Sequence, residues 1–154
     1  MDLTLRQRLQ NDLKDAMRDG NERKKVVVRL LMANIRNAEV DARTDGRGGV
    51  VSESDMLALV RREIKQHEES LAEARGAGRE DLVAEQSAEL DVLRSYLPRQ
   101  MSREQITEIA RQTIAEVKAT SPKQQGEVMK ALLPRVKDMA DGKLVSDVVR
   151  ELLK

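Results

Sequence analysis

The chain has 154 residues, 36% of them charged, with 28 Lys and Arg against 27 Asp and Glu for a formal net charge of +1. That length allows one ordinary domain or two small helical pieces, and charge so nearly balanced gives no global argument for nucleic acid. The absence of cysteine excludes disulfides and thiolate metal sites, and no apolar run approaches the roughly 20 residues of a membrane span. With Tyr96 as the one aromatic residue, the core must be built from Leu, Val, Ile, Met and Ala, which favours helices packed on helices and an all-α fold. The amino terminus is amphipathic and lacks the apolar region of a secretory signal, so a cytoplasmic location is expected.

Leu5, Leu9, Leu13 and Met17 recur at four-residue steps and predict one face of a first helix, closed by a left-handed cap at Gly20. Asn21 can cap a second helix, whose nearly continuous apolar run from Val26 to Ala33 extends through Ile35, Ala38 and Val40. That length favours a buried central helix over a strand. The segment TDGRGG, Thr44 to Gly49, reads as a mobile loop; no Gly-Lys-Ser or Gly-Lys-Thr follows it, so it lacks the pattern of a phosphate-binding loop.

Ser52 and Asp55 form an acidic capping box. In the helix that follows, Leu57, Val60, Ile64, His67 and Leu71 describe a narrow heptad seam closed by the Gly76 to Gly78 turn. Val83, Gln86, Leu90, Leu93 and Leu97 continue similar spacing beyond it, so the two helices should fold back as a long antiparallel hairpin. Pro98 ends the hairpin, and a hinge is expected between Leu97 and Met101.

Three helices are expected in the tail. Ser102 and Gln105 box the first, with Ile106, Ile109, Thr113 and Val117 on its apolar face; Ser121 and Pro122 open the second, which presents Val128, Met129, Leu132 and Leu133 before Pro134 interrupts it; the last carries Leu144, Val148 and Leu152. The expected organisation is an N-terminal helical domain, residues 1–98, and a tail domain, residues 99–154. The first 98 residues carry 17 basic and 19 acidic groups, the last 56 carry 11 and 8, so the positive balance lies in the tail.

Catalytic groups are scarce. His67, the single imidazole, has Glu63 one turn earlier and could serve as a general base, but no nucleophile is identifiable beside it, which favours a seam residue hydrogen-bonded across the hairpin. Ser52, Ser102 and Ser121 act as helix caps, and the neighbouring pairs Glu68, Glu69 and Glu80, Asp81 diverge by about 100° on a helix, so they read as solvated surface. No catalytic residue, metal ligand or cofactor is assigned. Arg23, Lys24 and Lys25 crowd a helix start, where neighbouring carboxylates are the expected partners.

The tail is the stronger prospect for binding. Its candidate anion-binding residues are Lys123, Gly126, Lys130, Arg135, Lys137, Gly142 and Lys143: cations set among apolar positions, with glycines at what read as turns, where backbone N–H groups could approach an anion. An ordinary charged surface with geometric glycines is the competing reading.

The segment QGEVMKALLPRVKDMADGKLVSDVVRELLK, Gln125 to Lys154, resembles the tail domain shared by the B subunit of tRNA-dependent amidotransferases (GatB) and the stand-alone YqeY proteins. Upstream, Arg29 to Arg43, Arg62 to Val83 and Ala88 to Ser102 resemble the rest of a YqeY protein, so the likeness covers nearly the whole chain. The resemblance supports Gly126, Met129, Pro134, Lys137, Asp141, Gly142, Lys143 and Val145 as motif positions; Asp138 stands where the family often has glycine. It implies a tail that meets structured tRNA or a tRNA-handling protein, without the domains that carry out ammonia transfer. Two other readings follow: a carbon–nitrogen ligase using glutamine as amide donor within a complex, which the family association invites, and a protein adaptor using the seam from Val60 to Leu71. With a single tyrosine to stack bases, RNA should be recognised as a folded shape through phosphates and 2′-hydroxyls.

Overall fold

The computed structural model describes residues 3–46 and 48–154. Arg47, within the Thr44 to Gly49 segment, lies outside the described residues. Among those described, the secondary structure is helical throughout: seven α-helices and two short 3-10 turns. The chain divides into two compact units, Met1–Leu97 and Pro98–Lys154.

In the first unit, α1 (Leu5–Asp19) opens on a capping box, with Thr4 accepting from the Gln7 N–H and the Gln7 side chain accepting from the Thr4 N–H. Gly20 closes it at φ 69°, a conformation that costs a residue with a Cβ, and Asn21 then caps α2 (Glu22–Thr44). Leu5, Leu9 and Ala16 are buried in α1, whereas Met17 is 57% exposed. A four-residue step overshoots a helical turn by about 40°, so after three such steps the apolar row has rotated away from the core and Ala16 takes the inward place.

The second helix buries Val27, Val28, Leu31, Ile35 and Ala42. It is central to its unit but buried along one face only, since Val26 is 48% and Val40 51% exposed. Ser52 and Asp55 make the expected box at the start of α3 (Glu53–Gly76). Ala77 and Gly78, the latter at φ 68°, turn the chain into α4 (Glu80–Arg94). These two helices run antiparallel, as the Arg94 to Glu68 ion pair at 3.1 Å across them requires. Leu57, Val60, Leu93 and Tyr96 join Leu5, Leu9 and Val27, Val28, Leu31 and Ile35 of α2 in one core.

In the second unit, Ser102 and Gln105 box the start of α5 (Arg103–Val117). A 3-10 turn at Pro122–Gln124 leads into α6 (Gln125–Val136), and another at Lys137–Met139 precedes α7 (Gly142–Leu152). Ile106, Ala110, Val128, Leu132, Val136, Val145, Val148 and Val149 form a separate core. Pro134 does not interrupt α6, which continues through it to Val136. It sits in the last turn on the exposed side, so the helix forfeits one hydrogen bond, to the Lys130 carbonyl, and Val136 supplies the inward contact that Leu133, 42% exposed, does not.

Candidate nucleic-acid interface

The seven candidate tail residues all lie in the second unit. Lys123 is in the 3-10 turn before α6, Lys130 is in the middle of α6, Arg135 is in its last turn, and Lys137 is its C-cap. Lys143 is the second residue of α7. All four lysines are exposed, and among the described residues none has a carboxylate within ion-pairing distance. Lys130 stands on the face of α6 opposite the buried Val128, Leu132 and Val136, so its ammonium is directed away from the core.

Three of the unit's arginines behave differently, whereas Arg99 and Arg111 are exposed without an ion pair among the described residues. Arg135 donates to Oγ1 of Thr113 at 3.0 Å and forms a short ion pair with Glu116. Hydrogen bonding from the Arg135 guanidinium holds the Glu116 carboxyl below its ordinary range. Arg103 pairs with Glu151 and Arg150 with Asp147. Arg135 is therefore a structural link between α5 and α6, and the unengaged positive charge of the candidate set resides on its lysines.

The glycines do not form bends. Gly126 is the second residue of α6 and Gly142 the first of α7, and neither has a positive φ. At the start of α7, Oδ1 of Asp141 already accepts from the Lys143 N–H at 3.3 Å, so the positive end of the helix dipole holds the chain's own carboxylate. Neither glycine therefore offers the bent backbone that the sequence suggested for approach to an anion. The left-handed positions are occupied instead by two lysines, Lys118 at φ 57° and Lys137 at φ 36°. Lys118 was not distinguished by sequence reasoning, because a C-cap lysine in that conformation has no local signature where glycine is the usual choice.

Elsewhere the sequence-selected polar residues have internal partners. Arg23 lies 2.8 Å from Glu85 and 3.7 Å from Glu89, Lys24 lies 3.8 Å from Asp12, and Lys25 lies 3.5 Å from Glu22, so carboxylates offset the cations at the start of α2. His67 sits inside the hairpin. Its Nδ1 is 2.9 Å from the Glu63 carbonyl oxygen, to which it donates, and its Nε2 is 3.5 Å from Oε2 of Glu89. Glu63 in turn accepts from Nδ2 of Asn34 at 2.9 Å. The imidazole thus joins α3 to α4, and among the described residues its polar neighbours are the carboxylates of Glu63 and Glu89 and the carbonyl of Glu63 rather than a hydroxyl nucleophile. The seam residues Val60, Ile64, His67 and Leu71 are buried or half-buried, which removes that seam as a free docking face. Among the described residues no group of three His, Asp or Glu side chains is placed to hold a metal, and no helix is long and apolar enough to cross a membrane.

Sequence comparison adds kinship. The chain is 31% identical over 150 residues to the altered inheritance of mitochondria protein 41, mitochondrial, of Pyrenophora tritici-repentis, a match covering 95% of this chain and 79% of the relative. It is 30% identical over 89 residues to the protein of the same name in Saccharomyces cerevisiae strain YJM789, covering 58% of this chain and 46% of the relative, so the match spans under half the length of the yeast protein. The Lachancea thermotolerans counterpart is 32% identical over 89 residues, with the same coverage. These relatives are mitochondrial by name, and the cytoplasmic expectation is corrected on that finding. Composition could show only that a secretory core and a membrane span are lacking, which proteins of several compartments share. The Yqey-like protein family matches residues 6–153, and the chain belongs to that family.

Proposed function

We propose that this chain is a non-catalytic helical module that binds structured RNA, with tRNA as the expected form, through the lysines of its second unit. The observation that carries the reading is the surplus of unengaged cations in this unit: Arg103, Arg135 and Arg150 are paired with carboxylates, while Lys123, Lys130, Lys137 and Lys143, with Arg99 and Arg111, are exposed and have no ion pair among the described residues. Unpaired ammoniums are available to phosphate without first breaking an internal ion pair. Tyr96 is buried in the other core, so base stacking contributes nothing and recognition rests on backbone and shape.

The test is binding of a folded tRNA transcript to the full chain across a salt series. Neutralisation of three to four phosphates gives a slope of log K against log salt of about −3. The combined change Lys130→Glu, Lys137→Glu and Lys143→Glu should abolish binding, with helicity by circular dichroism as the control for folding. Unchanged affinity in that variant rejects the reading. Release of ammonia from glutamine by the purified chain would instead favour the ligase alternative.

A further inference from the structure

The apolar content of α2 exceeds what its core face uses. Val27, Val28, Leu31, Ile35 and Ala42 account for the buried side. On the outward side, Val26, Leu30, Ala33, Asn37 and Val40 follow one another in alternating steps of four and three residues, the spacing of a coiled-coil seam. Val26, Ala33, Asn37 and Val40 are exposed and Leu30 is half-buried, so the seam has no partner within its own unit.

A row of cations flanks that seam. Arg29, Arg36 and Arg43 each stand three residues after Val26, Ala33 and Val40 and are exposed, and among the described residues none has a carboxylate in ion-pairing reach. This contrasts with Arg23, Lys24 and Lys25 on the same helix, all of which are paired. The row extends roughly 21 Å at the rise of an α-helix, about four turns. Asn37 of the seam and Asp41 border a groove against α3 that is also lined by the exposed Arg62, which has no ion pair among the described residues, and by the buried Glu63.

We propose that this outward face of α2 is a docking surface for an amphipathic helix of another protein, one whose apolar stripe is flanked by acidic residues. Valine at the seam positions, with Ala33 at the centre permitting close backbone approach, suits helix-on-helix packing, and a polar Asn37 within a seam is a device that fixes register. Charge selects the partner. A second copy of this chain would set one arginine row against another, and a row of like charges disfavours that pairing. A polyanion such as RNA would meet the arginines but leave the valine seam uncovered. The seam is too short in side chain, without Leu, Phe or Trp at its exposed positions, to anchor a helix in a lipid surface. This surface is in the first unit and does not depend on the RNA reading.

The experiment titrates the full chain, by fluorescence anisotropy, into two labelled synthetic helical peptides of equal length. Both carry the same Leu and Ile seam, one with Glu and the other with Lys at the flanking positions. The Glu peptide should bind at least tenfold more tightly than the Lys peptide, and the triple variant R29E/R36E/R43E should reverse that preference. Val26→Asp with Val40→Asp should remove binding of both, while helicity and unfolding midpoint report that each variant remains folded. Four results would each overturn the proposal: no binding of the Glu peptide up to about 1 mM, equal binding of both peptides, a preference unchanged by arginine reversal, or self-association of the chain that the reversal abolishes. Binding of folded tRNA to the wild type that R29E/R36E/R43E abolishes would also overturn it, marking the face as a polyanion site.

Discussion

The Tyr96 hydroxyl donates to Oδ2 of Asp12 at 2.5 Å, joining the segment after α4 to the middle of α1 across 84 positions of sequence. The ring is buried, and the Arg8 guanidinium lies 5.1 Å from its centroid while Nη2 of Arg8 donates to the Ser95 carbonyl at 2.9 Å. One aromatic residue thus gathers packing, a cation–π contact and a charge-assisted hydrogen bond at the closure of the first unit.

Burial, followed by the hydrogen bond to Asp12 and its negative charge, raises the Tyr96 phenol well above its ordinary value. The folded state therefore favours the protonated phenol. Its contribution is fully present below the unfolded value of about 10 and is lost as pH rises from there through the higher folded value. Stability of the first unit should decline above about pH 10 by up to roughly 1.4 kcal/mol per pH unit, and Tyr96→Phe should remove this phenol-linked part of the decline. At neutral pH the same substitution should cost about 1–2 kcal/mol through the lost hydrogen bond to a carboxylate. Urea unfolding of both proteins at pH 7 and at pH 10 to 11 separates the two effects.

His67 provides a second test, of position rather than ionisation. Glu63 and Glu89 are buried carboxylates on either side of the imidazole. Replacement of His67 by Leu retains apolar bulk but deprives both of a polar neighbour, whereas Gln preserves a donor. His67→Leu should destabilise the fold by about 2–4 kcal/mol, and His67→Gln by roughly half as much. Equal losses in denaturant unfolding would show that the ring acts only through its volume.

Chemistry that acts within three residues was legible in the sequence. Gly20, Asn21, the Ser52 to Asp55 box and the Ser102 to Gln105 box occupy the expected positions because cap and partner are neighbours in the chain. Helical faces were less accurately readable. Four-residue spacing selected Met17, but rotation of the apolar row places Ala16 inward, and a small buried alanine carries little hydropathy signal; in α6 the apolar run before Pro134 was read to include Leu133, whereas Val136 beyond it is the buried residue. Contacts of long sequence separation were not readable at all. Nothing near Arg135 indicates Thr113 or Glu116, 22 and 19 residues away, so sequence reasoning grouped Arg135 with the unengaged lysines. The outward seam of α2 was visible as excess apolar content but was read as burial, because periodicity alone does not say which faces have partners.

Pro134 offers a backbone prediction. Within α6 it withholds an N–H from the carbonyl of Lys130, yet the helix continues to Val136. Because Lys130 is exposed, water can solvate that carbonyl, which explains why the helix tolerates the residue. Pro134→Ala should restore the bond and raise stability by about 1–3 kcal/mol, less than the full interior penalty because the site is in the last turn. The unfolding midpoint in urea is the measurement, and a fall in midpoint would mean that the proline ring is a packing element.

Lys137 separates stability from binding at a single residue. Its backbone, at φ 36° and ψ −123°, is in a region that residues with a Cβ avoid, at a cost of about 1–3 kcal/mol. Its charge at the C-terminal end of α6 returns roughly 0.3–1 kcal/mol through the helix dipole. Lys137→Gly should therefore raise stability by about 1 kcal/mol. Under the RNA reading, it should also reduce the salt slope by about one unit, through loss of one phosphate contact. Lys118→Gly is the matched control. Lys118 adopts an ordinary left-handed C-cap at φ 57° and ψ 38°, so glycine should stabilise it by a similar or smaller amount. Both variants becoming more stable while only Lys137→Gly loses tRNA affinity would assign the strained lysine to the interface. Stabilisation with unchanged salt dependence would leave its conformation a feature of the α6 terminus alone.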